Sequence, residues 1–356
     1  MISLNTGICR MLGIEYPVIQ AGMAGGPTTA ELVAEVSAAG GLGTLGAAYL
    51  TPGKLREDIV EIRKRTDKPF AVNLFAPVPK DDFSRLDEVK RALQPICQEL
   101  AIEGQSAEYR SPDHGEELFR VCLEMGVPII STAFGSLPPE HMREAKAQSI
   151  KIIAMATTVN EAMEAQAAGA DAIVAQGSEA GGHRGSFSFE RHPMGAQVGL
   201  MALLPQVADA VDVPVVAAGG IMDGRGLVAA LALGAQAVQV GTRFVGAKES
   251  GAHQAYKQAI FDSDEESTVV TRSFSGRPAR GINNSFIERF ESSGTKPLPF
   301  PSQNTVTREI RAAAAKAGNP EFMSLWAGQA TRNLRQEEGA AEIVSSMMEQ
   351  AGALLR

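Results

Sequence analysis

The sequence predicts an α/β chain folded as a (β/α)8 TIM barrel, and three observations point there. Eight short apolar runs, separated by helix-length amphipathic segments, occupy about 240 residues, the count and length of such a barrel. No G-x-G-x-x-G follows the first run, so the alternative, a doubly wound open sheet, lacks its usual mark. Small residues follow the seventh and eighth runs, where such barrels commonly hold a phosphate.

The elements follow in order. Pro17-Val18-Ile19-Gln20 begins the first strand, and residues 29–39 read as a helix stopped by Gly40-Gly41. Residues 42–45 form the second strand, with a helix near 52–66 behind it, and residues 70–75 the third. The fourth is 128–132, followed by a helix over 138–148. The fifth is 152–156, followed by a helix over 159–168 that ends at Gly169. Residues 172–175, 214–218 and 237–240 complete the set. Two stretches exceed the repeat. Residues 76–127 form a segment inserted after the third strand, with helix-like stretches near 81–102 and 114–125. Residues 245–335 read as mixed helix and loop, with 293–301 irregular because its three prolines deny regular hydrogen bonding. The expected division is a ligand-binding barrel over 1–245 and a C-terminal extension over 246–356 that packs across it as a lid.

Composition narrows the function classes. A net charge of −8 and a pI near 5.3 argue against a nucleic-acid surface. Cys9, Cys97 and Cys122 show no CxxC spacing, so neither a zinc site nor a disulfide framework is expected, in keeping with a reducing cytoplasm. No signal peptide and no apolar run of bilayer length are visible. The oligomeric state is left open.

Ligands of this fold sit past the C-terminal ends of the strands. Those positions carry Ala21, Gly22 and Met23 after the first strand, and Asn73 within the third. Gln176 follows the sixth, Gly219-Gly220 the seventh, and Gly241-Thr242 the eighth, after Gln239. The amides of Asn73, Gln176 and Gln239 are costly in apolar strands unless paired, either with backbone neighbours or with the pyrimidine edge of a flavin or nucleotide. Past the sixth strand lies Gln176-Gly177-Ser178-Glu179-Ala180-Gly181-Gly182-His183-Arg184-Gly185, a glycine-rich loop that carries a histidine able to exchange protons near neutrality. Tyr109 in the insertion is a candidate for the substrate pocket. Trp326 is assigned to core packing. His114, His141, His192 and His253 show no spacing for a metal and are read as solvated or capping. The acidic cluster at 262–266 is read as a solvated face, and no GxSxG elbow marks a serine hydrolase.

Taken in order, Ala21-Gly22-Met23, Asn73, residues 176–185, Ala218-Gly219-Gly220-Ile221 with Asp223-Gly224-Arg225-Gly226, and residues 239–244 resemble class I of the nitronate monooxygenases, formerly called 2-nitropropane dioxygenases. Residues 274–281 and 326–329 share the likeness, which runs from about residue 10 to about residue 335. The resemblance implies non-covalent FMN and no metal. It also implies oxidative denitrification of nitronates with O2 to a carbonyl compound and nitrite. Carried over, Ala21, Gly22, Met23, Asn73, Gln176, Gly181, Gly182, Gly219, Gly220, Gln239, Val240, Gly241 and Thr242 would bind FMN, and His183 would be catalytic. Its imidazole could remove the α-proton of a neutral nitroalkane, whereas a nitronate has already lost it. Two rivals stand beside this reading: an NAD(P)H-dependent reductase of quinones or enoyl thioesters, and a non-redox barrel that binds a nucleotide or phosphate.

Overall fold

Continuous apolar runs become strands buried on both faces, and the capped amphipathic segments between them become the helices that cover the sheet. The computed structural model describes residues 2–77, 79–102 and 109–356. The first half holds α1 (Gly7–Leu12), β1 (Val18–Gln20), α2 (Ala30–Ala38), β2 (Gly43–Gly46), α3 (Pro52–Arg65), β3 (Phe70–Phe75), α4 (Leu86–Glu99), α5 (Gly115–Glu124), β4 (Ile129–Ala133), α6 (Pro139–Ala147), β5 (Lys151–Ala156) and α7 (Val159–Ala167). There follow β6 (Ala172–Gln176), β7 (Gly182–His183), α8 (Leu200–Ala210), β8 (Val215–Ala218), α9 (Gly224–Ala232), β9 (Ala237–Val240) and α10 (Thr242–Val245). The C-terminal third adds α11 (Gln254–Asp262), β10 (Thr268–Thr271), β11 (Ala279–Ile282), α12 (Ser285–Ser292), α13 (Ser302–Val306), α14 (Arg308–Ala317) and α15 (Ala340–Leu354).

Eight strands run parallel in the order β1-β9-β8-β6-β5-β4-β3-β2. A parallel bridge between Ile19 and Leu42 closes the ring. Gln20 reinforces that seam: Thr44 N–H donates to its Oε1 at 2.9 Å, and its Nε2 donates to Thr44 O at 3.1 Å. A fully buried glutamine thus extends the ladder where β1 and β2 meet. Side chains cap the covering helices at the predicted boundaries. The hydroxyls of Thr29, Thr51 and Thr158 accept the N–H groups of Leu32, Lys54 and Glu161 at the starts of α2, α3 and α7.

The two ends of the barrel differ. At the N-terminal end, Ile8, Cys9 and Leu12 of α1 join the interior cluster formed by Ile19, Ala71, Ile129, Ile153 and Val216. Gln236, just before β9, holds α1 in place: its Oε1 accepts Ile8 N–H at 3.0 Å and its carbonyl accepts the Thr6 hydroxyl at 2.7 Å. The short α1 gave no usable periodicity in the sequence. The C-terminal end stays open.

Two further features depart from the expectation. Residues 245–335 contain strands as well as helix and loop: β10, β11 and β7 form an antiparallel sheet, with Ala279 opposite His183. The run Ala-Arg-Gly-Ile hides its strand character because Arg280 is buried and reaches Ser178 O at 2.8 Å, while Gly281 lies against Leu325 and Trp326. In addition, α15 packs against α9 and α2, with Ile343, Val344, Met347 and Ala351 in the same core as the strands. The last helix of the expected extension therefore sits in the barrel's outer ring.

Candidate active site

The C-terminal strand ends surround a cavity of about 940 Å³, the upper end of the range of roughly 300–1,000 Å³ for small-molecule sites. Ala21, Gly22, Met23, Asn73, Gln176, Gly181, Gly182, His183, Gly219, Gly220, Gln239, Gly241 and Thr242 all line it. Val240 does not: its side chain lies in the core, and its carbonyl accepts Ala21 N–H at 2.9 Å. Tyr109 is also absent from the lining. Its ring lies 6.2 Å from that of Phe83, with Lys90 Nζ 5.0 Å from its centre. Among the described residues, no three His, Cys, Asp or Glu side chains gather to hold a metal ion, and no helix is long and apolar enough to cross a membrane.

One wall of the cavity is mostly backbone. At the end of β8, Gly219 and Gly220 have φ of +121° and +68°, values that favour glycine. Both glycines line the cavity, and neither carries a side chain into it. The α9 N-terminus beyond it is already capped, since Asp223 Oδ1 accepts Arg225 N–H at 2.9 Å. The open backbone is therefore the Gly219-Gly220 turn itself, beside Gly241 and Thr242.

The adjoining wall, past the end of β6, is held by side chains. Both ends of the Gln176 amide grip the histidine loop: Nε2 donates to His183 O at 3.0 Å, and Oε1 accepts Gly185 N–H at 2.9 Å. Its pairing is thus with backbone neighbours. Arg184, fully buried, donates to the carbonyls of Gly177 at 2.7 Å and Gln176 at 3.1 Å. Glu179 accepts Leu200 N–H at 2.9 Å and so ties the loop to the start of α8. The segment 327–329 straps the loop down. Gln329 N–H donates to Glu179 O at 3.0 Å, and Gly328 N–H to Thr242 Oγ1 at 3.0 Å. Gly181 permits this approach, because a Cβ there would stand 2.5 Å from Ala327 C.

His183 sits at the rim of this wall, half-buried. Its Nε2 lies 2.8 Å from Ser275 Oγ, and its ring is 5.5 Å from Trp326, 5.8 Å from Phe134 and 6.1 Å from Phe300. Burial, together with the nearby positive charges of Arg277 and Arg311, pushes its pKa down to about 3. Instead of titrating near neutrality, the imidazole is neutral there. Neither arginine has a carboxylate among its hydrogen-bond partners within the described residues. Arg277 donates to Ser186 O and, at 3.3 Å, to Arg184 O, and its guanidinium stacks 3.6 Å from the centre of Phe134. Burial pushes it down to about 9. Arg311 donates to Asn304 O at 2.6 Å, and its Nε has no partner among the described residues.

Sequence reasoning named the strand-end residues but not Ser275, Arg277 or Arg311 in these roles. Trp326, assigned to core packing, packs on Phe274 and also faces the cavity beside His183. His253 caps α11, with Nδ1 accepting Ala255 N–H at 3.1 Å. His141 is neither solvated nor a cap: it is buried, stacks on Phe119 and meets Glu116 Oε2 at 2.8 Å. In the acidic cluster, Asp264 and Glu265 pair with Arg332 on the surface.

Comparison with known proteins places the chain in a family. The profile of the family described as nitronate monooxygenase matches residues 5–350. A probable nitronate monooxygenase of Staphylococcus saprophyticus is 42% identical over 355 residues, covering 99% of both chains. One of Staphylococcus aureus is 41% identical, covering 98% of both. Among solved structures, nitroalkane oxidase from Streptomyces ansochromogenes superposes with a TM-score of 0.90 at 38% identity, over 96% of this chain and 98% of that one. FabK from Thermotoga maritima gives 0.77 at 31% identity, over 99% and 98%. Likeness this extensive, in sequence from end to end and in overall backbone, means that the chain belongs to the nitronate monooxygenase family.

Proposed function

We propose that the chain is an FMN-dependent oxidoreductase that converts nitronates, and neutral nitroalkanes once they lose an α-proton, with O2 into a carbonyl compound and nitrite. The observation that carries the reading is the meeting of two unlike walls in one cavity, a glycine-lined backbone turn and a neutral histidine. The names of the staphylococcal relatives and of the Streptomyces oxidase point to the same substrates.

The residues present fit a flavin mononucleotide. Gly219, Gly220 and Gly241 bring bare backbone to the cavity at the ends of β8 and β9, as a phosphate requires. Gln239 offers its amide to a heterocycle edge, and Asn73, whose Nδ2 donates to Ser131 Oγ at 2.9 Å, offers what remains of its own, while Gly22, Met23, Gly181, Gly182 and Thr242 complete the cradle. Ala21 joins them, Val240 fixes it from behind, and Gln176 serves by holding the loop. Bound FMN would supply the electron exchange between nitronate and O2 that no side chain provides. The protein does the rest. Arg277 and Arg311 favour an anion beside His183, and the rings of Phe134, Phe300 and Trp326 limit water there. His183, neutral at physiological pH, has a lone pair for an α-proton.

The test is the visible spectrum of the purified protein, followed by aerobic turnover of a preformed nitronate with nitrite detection. A yellow protein that releases FMN with acid and forms nitrite is expected. A colourless protein that FMN cannot reconstitute would sink the proposal. Rapid bleaching of the flavin by NADH without O2 would assign the site to a reductase instead.

A further inference from the structure

The hydrogen bonds around Ser275 determine which nitrogen of His183 is available for chemistry. Ser275 is buried in the turn that leads into β11, and its hydroxyl meets three groups. Arg277 N–H donates to Oγ at 3.2 Å, Oγ donates to Arg277 O at 3.0 Å, and His183 Nε2 lies 2.8 Å away. The hydroxyl has one proton to give. If that proton goes to Arg277 O, Nε2 must carry its own hydrogen and donate to Oγ. All three groups are then satisfied, and only the Nδ1 lone pair is left. If the hydroxyl instead donates to Nε2, the Arg277 carbonyl loses its only donor among the described residues. The imidazole hydrogen then sits on Nδ1, for which no acceptor is found there. Two unpaired polar groups in a half-buried site are the costlier arrangement.

We infer that Ser275 is a positioning residue: it holds His183 with hydrogen on Nε2, so that Nδ1 is the atom that accepts the substrate's α-proton. This rests on the proposed reading of His183 as a base. The backbone makes the arrangement rigid, because Ala279 pairs with His183 across the β11–β7 ladder and Arg184 N–H donates to Pro278 O at 2.8 Å. In the transfer, the α-carbon–hydrogen bond of the nitroalkane breaks and the proton forms a bond to Nδ1. The electron pair stays on carbon and spreads into the nitro group, leaving nitronate and an imidazolium, whose charge Arg277 and Arg311 disfavour and the adjacent nitronate anion offsets. Ser275 Oγ accepts from Nε2–H before and after the step, so nothing at that end has to reorient.

The test begins with the unaltered protein. With nitrogen-15 histidine, long-range proton–nitrogen correlation at neutral pH reads the tautomer of each of the five histidines. His183→Asn identifies the signal that belongs to His183. Nε2 should be pyrrole-like and Nδ1 pyridine-like; the reverse would overturn the inference with no other variant needed. Ser275→Ala should shift that signal toward a mixture of tautomers. The ratio of nitroalkane to nitronate turnover should fall roughly tenfold, the scale of one lost hydrogen bond. Ser275→Thr, which keeps a hydroxyl, should restore both. An unshifted tautomer in Ser275→Ala would overturn the positioning role. A shifted tautomer with an unchanged ratio would instead overturn the reading of His183 as base, and with it the assignment of Nδ1 as proton acceptor.

Discussion

The two walls of the cavity are built on different principles. The turn after β8 is local: two consecutive glycines at positive φ, shaped by their own backbone. The histidine wall is assembled from a distance. Ser275 reaches His183 across 92 positions, Arg277 reaches Arg184 across 93, and Arg280 reaches Ser178 across 102. A local wall changes with its own residues, whereas a wall made of long-range bonds fails as a unit when one close contact is disturbed.

The largest effect should come from Gly181, where the strap and the loop touch. Its φ is not positive, and what forbids a side chain is the Ala327–Gly328 backbone at 2.5–2.6 Å from a Cβ. Gly181→Val should lift the strap from the loop and abolish flavin retention, measured as the flavin-to-protein ratio after gel filtration, with the far-UV spectrum still folded. Full occupancy would break the claim that the wall acts as one unit.

Next is His183→Asn, which removes the base and leaves the loop in place. Turnover of neutral nitroalkanes should fall by roughly 10²-fold or more, the scale of a general base, and turnover of preformed nitronates by much less. Oxygen uptake at matched flavin content measures both. Equal losses would mean that His183 serves the nitronate anion and not its formation.

The local wall should yield more gradually. Alanine at Gly220 must hold φ near +68°, with its Cβ 3.4 Å from that of Glu179. The backbone strain is about 1–2 kcal/mol, so flavin affinity, read by fluorescence titration, should weaken roughly tenfold. An unchanged affinity would show that the turn does not face the cofactor.

The same contrast explains what could be read from the sequence. The barrel was legible because its strands are short, mostly apolar runs and helix caps such as Thr29, Thr51 and Thr158 mark the boundaries. The strand-end glycines were legible because position and residue type agree. Arg277 and Ser275 were not legible as neighbours of His183: they lie in Ser-Phe-Ser-Gly-Arg, a run without periodicity, and only the β11–β7 pairing brings them there. Val240 shows the converse, a motif position that does not line the cavity. It belongs to the right motif, but strand alternation turns its side chain into the core.

The smallest expected effect is an absence, and it tests the electrostatics of the histidine wall. A histidine of ordinary pKa would give kcat/KM for a neutral nitroalkane a rising limb near pH 6.5 as the imidazole loses its proton. Here burial, Arg277 and Arg311 disfavour the cation and lower the pKa to about 3. The base form is then already complete at pH 5, and His183 should contribute no limb between pH 5 and 8. The sign for stability follows from the same shift. The unfolded chain binds the proton below about pH 6.5, while the folded chain refuses it until about pH 3. Acid therefore favours unfolding across that window, and stability falls as pH falls. His183→Asn has no such group, so its denaturation midpoint should decline less than the parent's between pH 7 and pH 4. That comparison reads the charge environment without any substrate. A rising limb between pH 6 and 8 that vanishes in His183→Asn, together with parallel acid denaturation of the two proteins, would mean that bound anions neutralise Arg277 and Arg311. The histidine wall would then owe its electrostatics to its ligands and not to its own residues.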